Sequence, residues 1–189
     1  PITVSADDIT LTYGESFTAT DITISGGVTA AELSGTLAFT TKYAVGKSVG
    51  EYEVTPNGLT SDTYDITFES GTIIVTEKTL NAADFEITAA NKGYDGTNTA
   101  EISAVVKTDA LVGADNLRAE ISGHFADANA GADKAISYEI TSLSGKGFEN
   151  YVLGSDVNTA TVTADITPAK VTFFVSEETT RIYDGSVQK

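Results

Sequence analysis

The chain has 189 residues, among them 29 Thr, 15 Val and 14 Ile, a β-branched content that favours strands over helices. Its 27 acidic side chains against 11 basic ones give a net charge of −16, which argues against nucleic acid and against an anionic membrane surface, since both are held by clustered Lys and Arg. Cysteine is absent, so disulfides, thiolate metal sites and cysteine nucleophiles are excluded, while a 41% hydrophobic content is enough for a packed core.

The chain opens on Pro1 and closes on Ser186-Val187-Gln188-Lys189, and it reads as a fragment of something longer. In chain order, Ile9 to Tyr13 alternates apolar with polar residues, as half-buried strands do, and runs into the turn Tyr13-Gly14. Gly26-Gly27 marks a second turn, and Thr29 to Ser34 is expected to form a helical turn or short helix with Thr29 as its N-cap. Glu51 to Thr55 and Tyr64 to Phe68 alternate again, with Asn57-Gly58 and Ser70-Gly71 read as the turns around them. Gly71 to Val75 is a strand. Farther on, Ala110 to Asn116 is a second short helical candidate, Gly145-Lys146-Gly147 a turn, and Thr159 to Thr163 a closing strand.

Self-similarity organises these elements. Tyr13-Gly14, Tyr94-Asp95-Gly96 and Tyr183-Asp184-Gly185 echo one another, their tyrosines 81 and 89 residues apart. Behind the first two, Gly46 ahead of Glu51-Tyr52-Glu53-Val54 matches Gly131 ahead of Ser137-Tyr138-Glu139-Ile140, and Tyr64 matches Tyr151. The run from Val75 to Leu80 aligns with that from Ile166 to Val171, and Pro1-Ile2-Thr3-Val4 resembles the tail of an earlier copy. Residues 1–79 are therefore expected to form a first β module of the Tyr-Gly type, 80–168 a second of the Tyr-Asp-Gly type, and 169–189 the opening strand of a truncated third, one that frays or pairs with a neighbour. The first two modules each carry a net charge of −8, so acidity is a property of every module and not of one patch. The connectors are short and β-branched, unlike flexible Gly/Ser linkers, and should hold adjacent modules at restricted angles. The expected fold is mostly β, in tandem small modules that are β-grasp-like with one short helix each; an immunoglobulin-like β-sandwich is the alternative.

The second copy carries further blocks in order: Lys92 to Thr97, Leu111-Val112-Gly113-Ala114-Asp115-Asn116-Leu117, Gly123 to Gly131, Asn150-Tyr151-Val152-Leu153, and Ala164 to Lys170. These resemble the extracellular bacterial repeat modules named for their Tyr-Asp-Gly and Tyr-Gly signatures, the YDG and MBG families of large surface proteins and adhesins. The first copy departs from the pattern, with Tyr13-Gly14 lacking the Asp and Asp62-Thr63-Tyr64 in place of Asn-Tyr. The resemblance implies a non-enzymatic repeat in a bacterial cell-surface or secreted protein, acting as a stalk or spacer and in adhesion. Adjacent modules of the same chain would be its partners, with host or matrix glycan or protein beyond them. It supplies no catalytic residue and no cofactor. A carbohydrate- or mucin-binding module is the alternative function.

His124 is the only histidine, and its neighbours Gly123 and Phe125 suggest a strand edge. Asp7-Asp8 and Glu177-Glu178 are adjacent acids, which point to opposite faces in an extended chain and suit a solvated edge better than acid/base work. Asp127, Asn129 and Asp133 place oxygen atoms at every second residue or so, as calcium loops do. With Asp127 at position 1, however, Gly131 falls at 5 and Tyr138 stands where a bidentate Glu is needed, so a turn is the competing reading. Tyr13, Gly14, Tyr94, Asp95, Gly96 and Tyr151 form a structural signature: tyrosines as core plugs, Asp95 capping backbone amides and the glycines supplying positive φ. Gln188 is the only glutamine, so neither complete module can form a Thr–Gln ester, while Lys47, Lys92 and Lys134 remain available for an isopeptide bond.

Overall fold

In a computed structural model the described residues are 1–174, which form sixteen strands. The first module holds β1 (Ile2–Ala6), β2 (Ile9–Thr12), β3 (Ile22–Ile24), β4 (Ser34–Thr41), β5 (Gly50–Thr60), β6 (Ile66–Glu69) and β7 (Gly71–Thr76). The second holds β8 (Lys78–Leu80), β9 (Phe85–Ala89), β10 (Lys92–Gly93), β11 (Thr99–Ala100), β12 (Ile102–Val106), β13 (Asn116–Phe125), β14 (Gly131–Lys146), β15 (Tyr151–Leu153) and β16 (Val162–Thr167).

Strand pairing follows one plan in both, the second module adding β11 beside β13. In the first module β1 lies between antiparallel β3 and parallel β6, beside a second sheet ordered β2-β7-β5-β4 in which β2 and β7 run parallel. In the second, β8 pairs in parallel with β15 and β9 antiparallel with β12, while β10 runs parallel to β16 in a sheet ordered β10-β16-β14-β13-β11. Together β8 and β9 do what β1 does alone, the 3-10 turn Ala82–Asp84 having split the strand. The repeat legible in the sequence is thus a repeat of topology.

One expectation about the start of the chain changes. Ile2–Ala6 is not the tail of an earlier copy but the middle strand of a sheet in the first module: Ile2, Val4 and Ala6 are buried on one face while Thr3 and Ser5 are half-buried on the other, the period-two pattern of a strand packed on one side. Lys78–Leu80 pairs with β15, and Leu80 is fully buried. A Leu removed from water contributes roughly 1.5–3 kcal/mol. Glu77 is the single residue between β7 and β8.

Helix among the described residues occurs only as three-residue 3-10 turns. The one expected at Thr29 to Ser34 is Ala30–Glu32, closed by the Glu32 carboxylate, which accepts from the amide and the hydroxyl of Thr29, each at 2.8 Å. The one expected at Ala110 to Asn116 ends where it should begin, at Thr108–Ala110: Gly113 has φ +60° and Asn116 already opens β13, so no helical turn continues past Ala110. Asn57-Gly58, read as a turn, lies inside β5, where the pairing with β4 slips between Gly35 and Ala38.

One cluster of buried side chains runs through both modules, taking Tyr13, Tyr43, Val54 and Ile73 from the first and Leu80, Phe125, Tyr151 and Ile166 from the second. After β16, Val171, Phe173 and Phe174 are exposed. Tyr183-Asp184-Gly185, and with them most of the expected third-module strand, lie outside the described residues.

Candidate functional site

Where β2 ends, the Tyr13 amide donates to the carbonyl of Thr76 on β7 at 2.8 Å, and the chain turns at Gly14, whose φ is +94°. The Glu15 amide closes that turn on the carbonyl of Thr12, and the Glu15 carboxylate accepts from the Thr12 amide at 2.7 Å. Thus fixed, the Tyr13 side chain reaches past the end of its own sheet, yet it is only 4% exposed. What covers it comes from the second module.

Two loops of that module converge on the ring, 111–115 ahead of β13 and 147–151 between β14 and β15. Asp115 Oδ2 accepts from the Tyr13 hydroxyl at 2.8 Å and from the Tyr151 hydroxyl at 3.0 Å. The Val112 amide donates to the Tyr151 oxygen at 2.8 Å, so an amide, two phenols and a carboxylate form one connected set. The two rings meet edge to face, centroids 5.4 Å apart and planes at 79°, an arrangement favoured by the aromatic quadrupole. Burial pushes both phenols up, with the Asp115 carboxylate acting in the same direction; Tyr151 rises to about 12 and Tyr13 is raised further.

Close approach is possible because glycines stand on both sides. A Cβ on Gly14 would lie 2.6 Å from Val112 Cγ2, and one on Gly147 would lie 2.4 Å from Asp115 Oδ1. Beside them Asn150, 2% exposed, accepts from the Val49 amide of the first module through Oδ1 at 2.9 Å and donates through Nδ2 to the Gly147 carbonyl at 3.2 Å. Lys78, just past the connector, donates from Nζ to the Ala110 carbonyl at 2.6 Å. No buried side-chain polar atom among the described residues lacks a partner. Chemically the set is a clasp: the carboxylate is occupied by two hydroxyls.

The signature residues divide. Tyr13 and Tyr151 are buried. Tyr94 is not a core residue: it is 48% exposed. Asp95 and Gly96 lie in a turn. Asp95 Oδ1 accepts from the amide and hydroxyl of Thr97, each at 2.8 Å, with Gly96 at φ +81°. Lys92 Nζ, 2.9 Å from Asp95, leads the effects that lower its carboxyl to about 2.

His124 is exposed on β13, but not at a strand edge: it pairs with Thr99 of β11 on one side and Ser137 of β14 on the other. Of the residues considered for calcium, Asp127 accepts from Lys134 and from the Asn129 amide, the Lys134 ammonium chiefly lowering its carboxyl. The amide of Asp133, at φ +49°, donates to Asp165 at 2.8 Å. Among the described residues no three His, Cys, Asp or Glu side chains gather as metal ligands would. Asp7 accepts from the Thr23 hydroxyl and Asp8 from the Thr72 amide, so the two bind different strands. Glu177-Glu178 lie outside the described residues.

Asp115, Val112 and Asn150 carry the clasp, although in the sequence they stand only as members of recurring blocks.

Residues 76–161 match the family model of the YDG domain, and residues 2–74 match that of the MBG domain (YGX type). No curated protein and no solved structure matches the chain.

Proposed function

From a chain that belongs to two families of repeat domains, joining an MBG domain of the YGX type to a YDG domain, we infer a non-enzymatic spacer in a bacterial cell-surface or secreted protein. The observation that carries this reading is the junction. One residue, Glu77, separates the last strand of one module from the first strand of the next, and the Tyr13–Asp115–Tyr151 clasp closes over it. A connector that short, backed by a buried and fully hydrogen-bonded contact, suits a part whose task is to hold its neighbours at a set distance and angle. Both families are families of non-catalytic repeats. No helix among the described residues is long and apolar enough to cross a membrane. The uniform acidity of the modules fits a solvated surface that repels its own copies.

A second reading, a carbohydrate- or mucin-binding module, has the exposed rings of Tyr94 and Phe148, 48% and 47% exposed, in its favour, because sugars stack on accessible aromatics. Small-angle scattering of the intact chain together with a glycan array separates the two. A spacer gives an extended profile and no reproducible glycan. A compact profile overturns it, and a glycan lost on Phe148→Ala establishes the alternative.

A further inference from the structure

We propose that the exposed face around Tyr94 is the docking site for a further module of the same kind, which lays its own counterparts of Asp115 and Tyr151 over Tyr94 as the second module lays them over Tyr13.

The argument begins with backbone equivalence. The Tyr94 amide donates to the Thr167 carbonyl at 2.8 Å, as the Tyr13 amide does to that of Thr76 at the same distance. The Thr167 hydroxyl donates to the Lys92 carbonyl at 3.3 Å, as the Thr76 hydroxyl does to that of Leu11 at 3.2 Å. β10 and β16 are parallel in the register Gly93 with Thr167, and β2 and β7 in the register Thr12 with Thr76. The two tyrosines therefore leave the same corner of the same sheet in the same direction. One is 4% exposed and the other 48%; the difference is the module that covers the first.

The chain beyond this corner also repeats. Val171 aligns with Leu80, yet Leu80 is fully buried and Val171 is 72% exposed, followed by Phe173 and Phe174 at 85% and 92%. A module joined after Thr167 as the second is joined after Thr76 would bury this apolar run and arrive over Tyr94 together. The local charge permits it. The extra residue of the Tyr-Asp-Gly turn, Asp95, is held by Lys92, so the incoming carboxylate meets a paired acid rather than a free one. The opposite end of the pair is built otherwise: the counterpart of Tyr151 there is Tyr64, 37% exposed and preceded by Thr63 where the second module has Asn150. The contact is thus directional, with the phenol at the trailing end of one module and the carboxylate and second phenol at the leading end of the next.

The inference rests on the spacer reading, and the test keeps the two apart. The chain is extended by fusing a second copy of residues 78–168 after Pro168, that copy carrying Tyr94→Phe so that the native Tyr94 alone reports, and side-chain accessibility is read by hydroxyl-radical footprinting. Labelling of Tyr94 is expected to fall toward that of Tyr13, in the ratio of their present exposures, 48% to 4%. Asp115→Asn in the appended copy is expected to restore much of it. Equal labelling of Tyr94 with and without the copy overturns the inference. If the scattering profile of the extended chain nevertheless lengthens, the spacer reading survives; a compact profile removes that reading as well.

Discussion

The hydroxyl of Tyr13 donates to Asp115 Oδ2 at 2.8 Å although the two residues are 102 positions apart and belong to different modules. That separation exceeds the 81-residue spacing of the signature tyrosines. The bond therefore joins one repeat to the next and has no equivalent inside either.

Removing its acceptor tests how much the junction depends on it. In Asp115→Ala both phenols stay buried without their shared acceptor, and leaving a buried polar group unpaired costs about 1–3 kcal/mol. Urea denaturation is expected to show a loss of about 2 kcal/mol. Tyr13→Phe should lose less on its own and add little on top of Asp115→Ala, since residues in one hydrogen-bond set are not additive. Strict additivity would mean that the clasp is not a unit.

Alkali should act on the same place. The Tyr151 phenol has an ordinary pKa of 10.0 and stands at about 12 in the folded chain, and that of Tyr13 is also raised. Above pH 10 the unfolded chain releases these protons while the folded one still holds them, so stability falls as pH rises. It is complete below pH 10 and is lost up to about pH 12, the value for Tyr151. Ultraviolet titration of tyrosinate is expected to show a late class that disappears in urea. A single transition at the ordinary value would contradict the burial of both rings.

Glycine at position 14 is required twice over, by φ +94° and by Val112 Cγ2 only 2.6 Å from where a Cβ would stand. Gly14→Ala is expected to cost more than the roughly 1 kcal/mol of an ordinary unfavourable glycine replacement. Val112→Ala in the same chain should recover the steric part and leave the backbone part. No recovery would place Val112 farther from the turn.

Lysine and acid meet at Lys92–Asp95 and at Lys134–Asp127, the pairs to ask about for an isopeptide bond. Amide formation needs a protonated, desolvated carboxyl, whereas both acids are 53% exposed and both carboxyls are lowered by their lysines. Intact mass spectrometry is expected to return the sequence mass, without loss of water. A deficit of one water would show a cross-link.

Calcium is expected to leave thermal stability unchanged, because the Asp127 carboxylate already holds the Lys134 ammonium and the Asn129 amide. A ligand that binds only the folded state stabilises it by RT ln(1 + [L]/Kd). A melting temperature that rises with millimolar calcium and falls with chelator would restore the loop as a metal site.

Much of the fold was legible in the sequence because it rests on local chemistry. The alternation from Ile9 and from Glu51, the turn chemistry of Asp95-Gly96 and the capping of Thr29 by Glu32 each follow from near neighbours. What was not legible depends on residues far along the chain. Tyr13 and Tyr94 look alike in sequence, but one is buried and the other exposed, since the cover over Tyr13 comes from residues about 100 and 140 positions along the chain. Asn57-Gly58 carries a turn signal, yet it sits in a slipped strand pair because Gly58 packs against the Thr36 carbonyl. His124 lost its expected edge to β11, a two-residue strand too short to announce itself.

Glu77 has a mechanical consequence. A single residue spans at most about 3.6 Å when fully extended, and the residues flanking this one are already committed to strands in separate sheets. Under tension the linkage holds almost no slack. Load leaving β7 enters β8 directly, and the pair can lengthen appreciably only by tearing open hydrogen-bonded strands, so its reach is set by folded sheets and not by a tether.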